Sequence, residues 1–234
     1  MKIMIMGTGG VGGFFGAKLA NAGYDVSFIA RGEHLKAIKS NGLKVMSELG
    51  DIHINPAKTS DNPNDFTSPD FILFCVKAYD TEASCNLLKP IINPNTAIIP
   101  FLNGIGHLDI MQNILGKDNI IGGIAAISAL VEKPGIIRHN STMQMLKFGE
   151  FNNQISPRIQ QFKKACEEAG INNNIPKDIE CDLWQKIIMI CTLAGANCLT
   201  RLPLGPCRSN KTTRKLLEDL ATEVVLVARA EKVK

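Results

Sequence analysis

The first half of the chain alternates short apolar runs with stretches whose apolar residues recur at helical spacing. Residues 1–6 form an apolar run of the buried-strand type, residues 14–23 read as a helix stopped by Gly23, and residues 24–30 form a second apolar run. Residues 33–40 predict a short helix ending at Asn41-Gly42, and residues 43–46 and 52–54 two short strands. A polar loop follows around Asn62-Pro63-Asn64. Beyond Asp70 the chain is continuously apolar to Val76, as a parallel strand buried on both faces requires, and stops at Lys77. Residues 81–88 predict a helix, residues 96–101 another buried strand, and residues 107–115 a further helix. This alternation predicts an α/β fold with a Rossmann-like, doubly wound parallel sheet. Residues 120–131, 136–139 and 142–148 read as later strands that extend the sheet edge, with a turn at Pro134-Gly135.

The pattern changes after Glu150. Residues 156–170 predict an amphipathic helix with Ser156 as N-cap and Gly170 as stop, and residues 171–175 a last strand. From residue 177 the chain reads as helical: a long apolar helix over 178–198, a turn around 202–206, and a helix from 209 to the end. A boundary near Pro176 therefore divides the chain into residues 1–176 and a helical domain of residues 177–234. Leu216, Leu217, Leu220, Val224 and Val227 form a stripe on the last helix that expects cover. A second copy of the chain, joined through these helices as a homodimer, is one expected source of that cover.

With 234 residues, 45% hydrophobic and 21% charged, the chain can build one large domain or two modest ones. The formal net charge is +4 with the basic residues scattered, so no nucleic-acid partner is expected. The seven cysteines form no C-x-x-C pair. No metal site is expected, and the thiols read as reduced ones in a cytoplasmic protein. No apolar run looks long enough to span a bilayer, and Met1 leads straight into the first strand, so neither a membrane partner nor a targeting segment is expected.

Between the first strand and the first helix lies Gly7-Thr8-Gly9-Gly10-Val11-Gly12-Gly13, a G-x-G-x-x-G turn in the context a dinucleotide site needs. Gly7 permits the tight turn, Gly9 lets the backbone approach a pyrophosphate, and Gly12 lets the helix lie close on the strand. Thr8, Gly10 and Val11 complete the candidate cradle, whose helix N-terminus offers N–H groups to the phosphates. The end of the second strand carries Ala30-Arg31-Gly32 where an NAD site would place an acid. A guanidinium there suits a 2′-phosphate, so NADP is favoured over NAD. Lys77 and Asn103 also follow apolar strands directly, and such strand ends face the ligand crevice of an open α/β sheet. Lys186, in Leu183-Trp184-Gln185-Lys186, is the only charged residue between Asp182 and Arg201. It either snorkels to the surface or aims into a cleft.

Taken in order, the glycine turn, Ala30-Arg31-Gly32, Val76-Lys77-Ala78, Leu102-Asn103-Gly104-Ile105-Gly106, Pro134-Gly135 with His139, and Leu183-Trp184-Gln185-Lys186 resemble the ketopantoate reductase (2-dehydropantoate 2-reductase) family. The resemblance covers essentially the whole chain. It implies NADPH-dependent reduction of a 2-oxo acid, 2-dehydropantoate to pantoate, on the route to pantothenate and coenzyme A. It further implies that residues 7–12 and Arg31 bind the nucleotide, that Lys77 and Asn103 lie where cofactor and substrate meet, and that Lys186 is the catalytic lysine. Two departures stand out. Ile190, Ala194 and Leu204 occupy positions where the family has substrate-facing asparagines, which suits a more apolar 2-oxo acid or ketone, with Asn197 as a possible compensation. The family also continues for several helices that bring a serine and a glutamate to the site, so the helical domain is expected to be incomplete at its C-terminal end. The alternatives are a relative reducing another substrate and a catalytically weak NADP-binding protein.

Overall fold

The computed structural model describes residues 1–233. Contacts divide the chain into two units, Met1–Leu102 with Gly106–Ile179, and Asn103–Ile105 with Glu180–Lys234.

The first unit opens with β1 (Lys2–Met6), α1 (Gly10–Asn21), β2 (Asp25–Ile29) and α2 (Gly32–Asn41). Then come β3 (Leu43–Ser47), β4 (Ile52–Ile54), β5 (Lys58–Ser60), β6 (Phe71–Phe74), α3 (Thr81–Leu88), β7 (Ala97–Pro100) and α4 (His107–Leu115). It closes with β8 (Gly122–Lys133), β9 (Ile136–Gly149), α5 (Pro157–Glu168) and β10 (Asn172–Asn174). Five strands in the order β5-β2-β1-β6-β7 make a parallel sheet. β6 is apolar at every position, and β1 from Ile3 onward, because both faces are covered. Ile3, Ile5, Phe71 and Leu73 point to one face, where Phe14 and Phe15 of α1 and Phe162 of α5 pack. Met4, Met6, Ile72 and Phe74 point to the other, against Leu88 of α3 and Met111 of α4. The Phe162 ring stacks on Phe71 at 5.3 Å and meets Phe148 edge-on at 4.8 Å.

The later strands do not extend this sheet, contrary to expectation. A single bridge, Ile98 to Ile120, touches its edge. β3, β4, β8, β9 and β10 form a second five-stranded sheet instead. β8 and β9 are one long antiparallel ribbon, and β9 also runs parallel to β3 (Lys44 opposite Ile136) and to β10. The expected strands 136–139 and 142–148 are one continuous strand. β5, read as loop, pairs in parallel with β2 at the edge, where its polar Lys58-Thr59-Ser60 is tolerated.

The second unit contains α6 (Ile179–Thr200), α7 (Leu204–Ser209) and α8 (Lys211–Ala230). α7 replaces an expected turn: Pro206 sits in its first turn, where a missing N–H costs nothing. Asn210 caps α8, its side-chain oxygen accepting from the N–H groups of Thr212 (2.9 Å) and Thr213 (3.3 Å). A small core of Ala196, Cys207 and Leu217 joins the helices, with Leu216 and Leu220 against it. α6 also corrects the reading that nothing here is long and apolar enough to cross a membrane. Its 22 residues pass that test by length and composition, with a mean hydropathy of 1.2. Core helices of globular proteins pass the same test, so it is weak evidence for a span.

Candidate functional site

β1 ends at Met6, and Gly7 turns the chain with φ +98°, a conformation side-chain-bearing residues rarely adopt. A Cβ on Gly12 would sit 2.2 Å from the Gly7 carbonyl oxygen, so only glycine lets α1 lie against the turn. Gly10 is equally confined, since a Cβ there would lie 2.2 Å from the Ala129 carbonyl oxygen of β8. Val11 packs against the core. Gly9 is the opposite case: nothing lies within 4 Å of where its Cβ would be. Gly9 is also the N-cap of α1, with no side chain capping the helix, and the first helical bond joins the Gly13 N–H to its carbonyl at 2.7 Å. The first-turn N–H groups and the open space at Gly9 can therefore take phosphate oxygens.

Thr8 is buried and turned inward. Its N–H and its hydroxyl both donate to the Ile29 carbonyl, at 3.0 and 2.9 Å, so it anchors the turn to the end of β2. Its carbonyl accepts from His34 Nε2 at 2.8 Å.

Beside the turn lies a cleft of about 360 Å³ at the carboxyl ends of β1, β2 and β6. Gly7, Thr8 and Gly9 line it together with Arg31 and Lys77, so five sequence-predicted residues converge. Lys77 is exposed just past β6. Arg31 is the N-cap of α2, its side chain 78% exposed, with Nη2 donating to Asp80 Oδ2 at 2.8 Å. An ion pair this open is worth little, so the guanidinium is available to an incoming phosphate. The cleft thus has what an NADPH molecule needs: an uncapped helix end, a gap at glycine, and two cations. Asp61, Asp80 and His34 also line it and were not singled out by the sequence. The tautomer of His34 follows from its partners. The Gly135 N–H donates to Nδ1 at 3.0 Å, so the proton sits on Nε2 and donates to Thr8. Burial lowers its pKa, with the Thr8 carbonyl opposing.

The other two predicted residues belong to the second unit. Asn103 is exposed, next to Gly104 with φ +83°. Lys186 is half-buried on α6, and burial lowers its ammonium pKa from the usual lysine value. On the same helix Ile190 is half-buried, Ala194 is exposed, and the Asn197 Oδ1 is buried with no hydrogen-bond partner. Among the described residues no group of three or more His, Cys, Asp or Glu is placed to hold a metal.

Comparison with known proteins matches residues 3–153 to the family "Ketopantoate reductase PanE/ApbA" and residues 178–234 to its C-terminal counterpart. The uncharacterized oxidoreductase YkpB of Bacillus subtilis (strain 168) is 32% identical over 231 residues, 99% of this chain and 76% of that protein. The 2-dehydropantoate 2-reductase of Pyrococcus horikoshii is 29% identical over 96% of this chain and 71% of its own. The crystal structure of a PanE/ApbA family ketopantoate reductase from Ralstonia eutropha JMP134 superposes with a TM-score of 0.89 at 27% identity, covering 100% of this chain and 76% of that one. The parallel sheet with its glycine turn, the helices that follow and the sequence matches across both units agree: this chain belongs to the ketopantoate reductase family, oxidoreductases that use NADPH.

Proposed function

We propose that this protein reduces a 2-oxo acid with NADPH in the cytoplasm, and that 2-dehydropantoate, giving pantoate, is the first substrate to test. Residues 1–176 hold the nucleotide and residues 177–234 contribute the proton donor. The observation that carries the reading is Lys186: one cation in an apolar stretch of α6, half-buried and with a lowered pKa, at the position of the family lysine.

Bound NADPH supplies a hydride to the C2 carbonyl carbon. The C=O electron pair moves onto oxygen, and Lys186 Nζ gives that oxygen its proton, leaving the 2-hydroxy acid and NADP⁺. The amine regains a proton from water. A lowered pKa makes the proton easier to give, and the ammonium charge stabilises the developing alkoxide. Asn103 hydrogen-bonds the substrate, Lys77 holds the junction of nucleotide and substrate, and Arg31 grips the 2′-phosphate while residues 7–12 cradle the pyrophosphate.

Ile190, Ala194 and Leu204 favour a second reading, in which the substrate is a more apolar 2-oxo acid or ketone. A site without polar partners gains nothing from substrate hydroxyls. The test is NADPH oxidation against a panel of 2-oxo acids running from ketopantoate to unhydroxylated branched acids. Highest kcat/KM on ketopantoate supports the first reading and highest kcat/KM on an unhydroxylated acid the second. NADPH binding without turnover on any member would overturn both and leave a nucleotide-binding protein.

A further inference from the structure

His34 joins three segments that are far apart in the chain. Its own helix α2 carries it, the glycine turn accepts its Nε2 proton at Thr8, and the β8–β9 turn donates to its Nδ1 from Gly135. The same hairpin lies over Gly10 through Ala129, lines the cleft through Val131, and is tied to β3 by the Lys44 N–H to Gly135 carbonyl bond of 2.9 Å. The geometry at Thr8 gives this bridge its purpose. The N–H and hydroxyl of Thr8 are both fixed on Ile29, which leaves the Thr8–Gly9 peptide as the next free plane. In a trans peptide the C=O and the following N–H lie in one plane and point in opposite directions. Holding the Thr8 carbonyl on the imidazole therefore also fixes the Gly9 N–H, at the one glycine of the turn with open space before it.

We propose that His34 is a positioning residue for the dinucleotide: a neutral imidazole, protonated on Nε2, that sets the Thr8–Gly9 peptide in the orientation the pyrophosphate meets. The inference rests on the nucleotide reading of this cleft. It adds a residue that lines the cleft and acts on the turn through the Thr8 carbonyl.

Two amide variants separate the two ends of the bridge. In His34→Gln the side-chain amide reaches the place of Nε2 and can still donate to Thr8. In His34→Asn it reaches only the place of Nδ1 and can still accept from Gly135. NADPH affinity is measured by titration of nucleotide fluorescence on the whole chain, alongside thermal unfolding of each apo variant. His34→Asn and His34→Ala should weaken NADPH about three- to tenfold, the scale of one hydrogen bond, and His34→Gln should restore most of the loss. In steady state the loss should appear in the KM for NADPH and not in kcat. Equal affinities for the Gln and Asn variants, or losses that follow unfolding temperature whichever bond is kept, would reduce His34 to a structural tie and overturn the proposal. If the parent chain itself fails to bind NADPH, the nucleotide reading falls and takes this inference with it. A parent that binds while all variants match it sinks this inference alone.

Discussion

Phe14, Phe15, Phe28, Phe71 and Phe162 of the first unit are fully buried, whereas Met189 and Leu199 of α6 and Leu226 and Val227 of α8 are each more than half exposed. The sequences of the two regions look equally apolar. What differs is the supply of neighbours. A central strand of the parallel sheet has a strand on each side and helices on both faces, so its apolar side chains find cover. A long helix presents apolar residues around its circumference, and the core of Ala196, Cys207 and Leu217 covers a small part of them. Only 17% of the most apolar window of α6 is buried. The glycine turn and its cleft therefore rest on a well-packed scaffold, while Lys186 projects from a sparsely packed one. In the proposed function the difference would separate two jobs: holding a nucleotide in a fixed pose, and delivering a proton from a helix.

Replacing Lys186 by Ala tests that separation most severely. Turnover should fall by roughly 10²–10⁴-fold, the scale of a general acid, with NADPH affinity unchanged in titration. A parallel loss of affinity would show that the helical unit also holds the nucleotide. Packing gives the next effect. Phe162→Ala should cost about 3–5 kcal/mol and Leu217→Ala close to 2 kcal/mol, the low end for such truncations, since its small cluster can collapse. Urea unfolding followed by far-UV circular dichroism measures both, and equal costs would mean the helical core is as strict as the sheet. Arg31→Ala should weaken NADPH by about ten- to a hundredfold, or roughly 1.5–3 kcal/mol, while leaving NADH affinity nearly constant. Equal affinities of the parent for both nucleotides would remove Arg31 from the site.

The smallest effect concerns acid and the first unit alone. Burial on its own raises the Glu150 carboxyl pKa, but hydrogen bonds from Arg158 and Ser156 more than offset this and hold it below the usual value. Arg158 grips it with two bonds of 2.7 Å, and the Ser156 hydroxyl adds one of 2.6 Å. A depressed carboxyl pKa stabilises the fold above the unfolded value near 4.3, and that contribution disappears as pH falls through the folded value. Glu150→Gln should therefore cost about 1 kcal/mol at neutral pH and flatten the acid limb of a stability profile. An unchanged profile would show that the pair contributes nothing beyond its geometry.

Much of this was legible in the chain because it is local. Residues 71–74 and 97–100 declare themselves as buried strands by continuous apolarity, and the glycine turn by spacing. The helices over 81–88 and 107–115 lie where periodicity puts them. Pairing is a different kind of fact. Nothing in residues 122–133 says whether they join β7 or β9, so the sequence alone makes the second sheet look like an extension of the first. β5 escaped because Lys58-Thr59-Ser60 carries no apolar signal. At the site, Arg31 and Lys77 could be found because charge at a strand end is visible in sequence. His34 could not, since both its partners are backbone atoms, and a carbonyl or N–H leaves no mark on residue type.

The arrangement of β9 also has a consequence for how the molecule is made. Residues 43–47 form one rail of the second sheet, yet their parallel partner lies roughly ninety residues further along. On a ribosome adding about 5–20 residues per second, that is a wait of roughly 5–20 s. Throughout it β3 has only the short β4 beside it, and its other edge is a template for any passing strand. Lys44 is exposed on β3, and a charge there discourages stray pairing while the ribbon is still being synthesised. The imidazole at residue 34 likewise waits for Gly135. The nascent protein therefore carries its glycine turn long before that turn is braced, and, if His34 positions the turn as proposed, nucleotide affinity during synthesis should tighten once the hairpin emerges.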